Sequence, residues 1–165
     1  MAASVTYTPI SSYTVSGSST STYTFSSIPG THTDLYMMVN GYCGGGYYIV
    51  RFNSDSGTNY SRTLLFTQSG SPTSYRNTND TNLYGNLGDS TTNIGNTFHH
   101  IMNYANTTTY KTVIRQGGGQ DAYAPQIEAG VWRATPQAIT SITLTSSSGV
   151  FGSGTVMSLY GIAAA

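Results

Sequence analysis

Tyr47-Tyr48-Ile49-Val50-Arg51-Phe52-Asn53 is the stretch that decides the fold. Successive side chains of an extended strand point to opposite sides. Tyr48, Val50 and Phe52 therefore share one face, and Tyr47, Ile49 and Arg51 share the other. Aromatic and β-branched residues in this arrangement suit a pleated, half-buried surface. Turn chemistry brackets the stretch. Cys43-Gly44-Gly45-Gly46 before it reads as a flexible loop tip. Asn53-Ser54-Asp55-Ser56-Gly57-Thr58-Asn59 after it reads as a turn, with Asn53 and Asp55 bonding local backbone N–H groups and Gly57 supplying a positive φ.

The same unit recurs in both directions, and no segment keeps a 3.6-residue apolar period. Towards the N-terminus, Val5–Thr8 reads as a strand stopped by Pro9, followed by Ser21–Phe25 and Asp34–Tyr42. Towards the C-terminus come Ser61–Thr67, Thr97–Tyr104, Tyr110–Gln116, Ala129–Ala134, Ala138–Ser146 and Thr155–Ile162. Between them, Ser69–Asn96 reads as a long polar loop anchored by Leu83, Leu87 and Ile94. Gly117–Gly119 opens a second loop, closed by Pro125. About eight core strands with long crossings suit an all-β, single-domain antiparallel β-sandwich of jelly-roll type. Residues 1–20 are expected as an N-terminal arm or edge strand, and residues 21–165 as the sandwich.

The surface chemistry is unusual. Six Lys+Arg and six Asp+Glu make only 7% of 165 residues charged, against about 25% in an average domain. Ser, Thr, Asn, Gly and 14 Tyr take their place. Such a surface suits a protein packed against copies of itself or other subunits. Zero net charge and the lack of a basic run argue against a nucleic-acid partner. No stretch of 18 apolar residues predicts a membrane-spanning helix, and no membrane partner is expected. Met1-Ala2-Ala3-Ser4 lacks the pattern of a signal peptide. Cys43, the single cysteine, forms no internal disulfide, which fits synthesis in a reducing cytoplasm.

The search for reactive constellations returns no catalytic, cofactor-binding or metal site, and an enzyme is not expected. Nucleophile elbow, phosphate loop and dinucleotide fingerprint are all missing. His99 and His100 are adjacent, so a strand sends them to opposite faces and away from a shared metal. Asp55–Asn59 lacks the repeated acidic ligands of a calcium loop. Cys43 has no basic neighbour in sequence and reads as a packed thiol. Trp132 and the tyrosines read as core or interface rather than glycan platforms. Tyrosine buries much area at small entropic cost, so Tyr75, Tyr84 and Tyr123, in polar loops, are the interface candidates.

Three patches carry a family resemblance. They are Tyr23–Leu35 with its Ile28-Pro29-Gly30 turn, Val50–Ser61, and Ile139–Leu144 leading into Phe151–Ile162. Their order resembles tailed-bacteriophage virion structural proteins with β-sandwich folds, which serve as capsid decoration (cement) subunits and as tail or fibre modules. The resemblance implies a decoration subunit located on the virion after synthesis in the bacterial host. Its partners would be the major capsid protein and copies of itself, as a homotrimer. The alternative it implies is a tail-fibre or baseplate module with host-glycan contact. The same patches have a local reading. Asp34 would bond backbone N–H groups after the Pro-Gly turn, and Tyr160-Gly161 would let a ring approach a neighbouring backbone.

Overall fold

The computed structural model describes residues 6–17, 19–68, 70–119 and 125–163. Among them, twelve strands form two antiparallel sheets. In chain order the strands are β1 (Tyr7–Thr14), β2 (Thr22–Phe25), β3 (Asp34–Gly41), β4 (Tyr47–Phe52), β5 (Tyr60–Gln68) and β6 (Ser71–Asp80). Then follow β7 (Leu83–Asn86), β8 (Gly95–Ile101), β9 (Lys111–Gly118), β10 (Gln126–Trp132), β11 (Ile142–Ser146) and β12 (Val156–Ile162). The larger sheet has the order β1-β12-β3-β8-β9-β10-β5-β6, and the smaller β2-β11-β4-β7.

The pairings are nested. β5 pairs with β6, β4 with β7, β3 with β8, β2 with β11, and β1 with β12. The chain is thus one long hairpin, doubled back on itself at the β5–β6 turn and rolled into two layers. β9 and β10 stand outside the nesting, as a hairpin inserted between β8 and β5 in the larger sheet.

The alternation of Tyr47–Phe52 sorts as its sequence dictates. Tyr48, Val50 and Phe52 are buried, while Tyr47 is exposed and Ile49 and Arg51 half-buried. Phe25, Ile142 and Leu144 from the smaller sheet meet Leu35, Met37 and Leu159 from the larger in one core. Phe52 crosses between the layers to Trp132, ring centroids 5.6 Å apart and edge to face. Burying each such side chain contributes about 1.5–3 kcal/mol.

Several expectations are corrected. Ser69–Asn96 is not a loop: it holds β6, β7 and the start of β8. β6 (Ser-Pro-Thr-Ser-Tyr-Arg-Asn-Thr-Asn-Asp) shows no apolar alternation because neither of its faces reaches dry core. The strand count among the described residues is accordingly twelve, above the eight or so core strands plus one or two N-terminal ones expected. Pro9 does not end the first strand. β1 runs through it as an edge strand with a register shift between Pro9 and Ser11, where a missing N–H is tolerated. Val5 lies outside the described residues.

Gly44 is no free loop tip: a Cβ there would sit 1.7 Å from the Ser148 carbonyl oxygen. Gly117 and Gly118 extend β9 instead of opening a loop. In the turn after β4, Asn53 (φ 50°) and Ser54 (φ 58°) adopt the left-handed conformation, and Gly57 does not. Asp55 bonds the Gly57 N–H at 2.8 Å as expected. Asn53 instead clamps a distant segment, accepting from Thr140 N and Ser141 N and donating to Ala138 O. Asp34 likewise reaches across the sheet, to Asn103 N and His100. The ring over Gly161 belongs to His32.

Candidate functional site

Among the described residues, nearly every charge is spent on a bond within the molecule. Arg115 and Glu128 are 1% and 2% exposed and pair at 3.2 Å. Arg62 bridges Asp80 at 3.0 Å and Glu128 at 3.3 Å. Lys111 donates to the carbonyls of Asn106 and Thr109, and Arg51 to that of Thr81. Asp55 accepts from Trp132 Nε1 at 2.6 Å, Arg133 donates to Thr78 O, and Asp89 accepts from Asn93. Burial would raise the Asp55 pKa, but hydrogen bonds from Trp132, Asn59 and Gly57 outweigh it and hold the carboxyl below its ordinary value. Among the described residues, Arg76 alone extends from the surface with no such bond.

Two surfaces remain as candidates. The first is the outer face of the larger sheet. Strand register lines up Met38, Phe98, Gln116, Ile127 and Leu65 in one cross-strand row. Tyr160, Tyr36, His100, Ile114 and Ala129 form the next row. Leu65 and Ile127 are 56% and 45% exposed. Tyr36 bridges the rows through Phe98 at 5.9 Å and meets Tyr7 edge to face at 5.7 Å. A hollow of about 870 Å³ opens between Phe98, Gln116 and Ile127, beside Pro125. By contrast, the outer face of the smaller sheet carries paired threonines, Thr22 with Thr145 and Thr24 with Thr143.

The second surface is a trough. The larger sheet extends beyond β7, so the inner faces of β10, β5 and β6 overhang the edge of the smaller sheet. The space is about 300 Å³, floored by Leu64 and Phe66 and walled by Tyr47 and Tyr84. Arg62 lies 4.2 Å from the Tyr84 ring centroid and 5.1 Å from that of Tyr75. Such cation–π contacts add about 0.5–2 kcal/mol. Burial would lower the Arg62 pKa, but Glu128 and Asp80 raise it above its usual value. Arg115 donates to Asn86 Oδ1 at 3.1 Å and Gln126 Oε1 at 3.0 Å.

The interface candidates Tyr75 and Tyr84 thus both lie against one guanidinium. They lie on strands rather than in loops. Tyr123 lies outside the described residues. His99 and His100 diverge as expected. His99 is buried against the Tyr48 hydroxyl at 3.0 Å, and His100 pairs with Asp34 at 2.7 Å. No group of three metal-ligating side chains occurs among the described residues. Cys43 is buried and its thiol donates to Tyr47 O. Burial pushes its pKa up to about 12, against a smaller lowering from Ser146. Trp132 is core, not a surface platform.

Sequence reasoning did not find Arg62, Arg115, Gln126 or Glu128. A signal existed: Arg115 keeps phase with buried Val113 and Lys111, and Glu128 keeps phase with buried Trp132. Charges in phase with a core face mark a buried polar cluster.

No protein-family model and no curated protein matches this chain. Among solved structures it is similar to the crystal structure of exo-inulinase from Aspergillus awamori, with 13% identity and a TM-score of 0.43. The match covers 94% of this chain and 29% of that one, so the chain spans under a third of the enzyme's length. A likeness at that level carries no conclusion about activity.

Proposed function

We propose that this chain is a structural protein of a tailed-phage particle, a capsid decoration subunit of jelly-roll type that binds and stabilises the assembled shell. The nested pairing supports the jelly-roll reading, since a doubled-back hairpin rolled into two sheets is what that fold is. The observation that carries the function is the outer face of the larger sheet, with its two apolar and aromatic rows. Its ionisable groups are few: the His100–Asp34 pair and Arg76 at the rim.

Eight strands about 4.8 Å apart and about seven residues long give a face of roughly 800 Å², one partner's share of a standard interface. A surface with so few charges also lets neighbouring copies pack side by side without repulsion, through the heterologous contacts that a closed homotrimer needs. Contacts from several copies then add through effective concentration.

The experiment is co-sedimentation of the purified protein with expanded, emptied phage shells. Attachment is expected to survive a rise from 0.05 to 1 M NaCl, because there is little Coulomb attraction to screen. Ile127→Lys together with Leu65→Lys is expected to abolish it. Release at a few hundred millimolar salt would contradict the mechanism. Coating of tail tips without shell binding would reject the decoration role in favour of a tail-fibre or baseplate module.

A further inference from the structure

We propose that the trough beneath β7 is a saccharide-binding site that takes a neutral or N-acetylated sugar ring. Arg115 orders the polar side of the trough. A guanidinium has five donors and no acceptor, so the amide oxygens of Asn86 and Gln126 must face it, as they do at 3.1 and 3.0 Å. Each amide is thereby turned with its NH2 group left for another partner. Both side chains line the trough.

Arg62 spends Nε on Asp80 and Nη1 on Glu128, which leaves Nη2. Arg115 Nε has no hydrogen-bond partner in the structure although Arg115 is 1% exposed. Arg115 Nε is thus a buried donor without a match, and beside it the two amide NH2 groups and Arg62 Nη2 make no hydrogen bond of their own among the described residues. A buried donor left unmatched is costly, so a built site of this kind fits an acceptor-rich ligand.

Charge selects among such ligands. Arg62 and Arg115 are balanced by Asp80 and Glu128 within the same cluster. No net positive charge remains to favour a phosphate or sulfate, and nucleic-acid affinity rests on such charge. The apolar walls select further. Tyr47 is 42% exposed beside Tyr84, their rings 5.7 Å apart. A pyranose offers the matching combination: an apolar C–H face for an aromatic ring, and hydroxyl, ring and acetamido oxygens that accept hydrogen bonds. A space of about 300 Å³ is at the small end of ligand sites and suits one sugar ring with part of the next. The inference does not depend on whether the subunit sits on head or tail.

The test is a heteronuclear NMR titration of the full chain with glucose, galactose, N-acetylglucosamine and N-acetyllactosamine. N-methylacetamide serves as an acyclic control. Saturable shifts are expected at the Tyr47, Tyr84 and Gln126 amides for at least one of these sugars, with Kd on the order of 1 mM. Tyr47→Ala, at an exposed ring, is expected to weaken binding tenfold or more. Tyr84→Ala, whose ring lines the trough against Arg62, supplies a second variant with the same expected direction. Tyr36→Ala on the opposite face is expected to leave binding unchanged. Three results would each overturn the proposal: no saturable shift with any of the four sugars at 50 mM, equal shifts from N-methylacetamide, or binding unaltered in both trough variants.

Discussion

Lowering the pH from 7.5 to 5 is expected to remove about 2 kcal/mol of stability through His99 alone. His99 sits on the inner face of β8, 1% exposed, sharing a hydrogen bond with the Tyr48 hydroxyl. Burial, and then the nearby Arg115 guanidinium, lower its pKa to about 3. The unfolded chain binds the same proton near pH 6.5. Between these values the unfolded state holds a proton that the folded state refuses, so stability rises with pH.

The contribution is complete above about pH 6.5 and is lost as pH falls towards 3, with a slope of about 1.4 kcal/mol per pH unit. A loss of that size matters against a total of roughly 5–15 kcal/mol. The assay is urea denaturation of the native chain and of His99→Gln at a series of pH values. His32 and His100 are present in both proteins, so their titration cancels in the difference. The native chain should lose about 2 kcal/mol more than the variant between pH 7.5 and 5. Parallel curves would refute the reasoning.

Glu128 is the shared counter-ion of Arg62 and Arg115, and Glu128→Gln leaves two guanidinium groups short of it. The expected loss is about 3–5 kcal/mol in urea denaturation, and a change below about 1 kcal/mol would contradict the buried pair. Gly85→Ala places a Cβ 2.0 Å from the Tyr48 ring. It should cost about 1–3 kcal/mol, with most of the cost gone in a Tyr48→Leu background. The Cys43 thiol, raised to about 12 by burial, should resist a thiol reagent at pH 8 until the chain is unfolded; fast labelling of the native protein would show the site to be open.

The alternating strands were legible wherever one face meets dry core. Tyr47–Phe52, Asp34–Gly41 and Val156–Ile162 show the pattern, and their bounds fall within a residue or so of expectation. The pattern fails for β6, because an overhanging strand feels no demand for apolar residues on either side. Pro9 misled for a related reason: an edge strand needs no N–H on its open side. Tyr75 and Tyr84 were visible as an excess of tyrosine, but their meeting at Arg62 was not. That encounter depends on two strands from different sheets, which no local spacing encodes. The threonine pairs show the same limit, joining residues more than a hundred positions apart.

The inserted hairpin has an evolutionary consequence. β9 and β10 together restore both the direction and the sheet of the strand they follow, so β8 could pair with β5 in their absence without disturbing the nested frame. Yet Arg115 comes from β9, and Gln126 and Glu128 from β10. The two added strands also carry β5 and β6 outward past β7. The inserted hairpin thereby supplies part of the trough, while β4, β5 and β7 of the nested frame supply the rest. Substitutions on the hairpin can therefore reshape the polar side of the trough while the topology of the nested frame stays as it is.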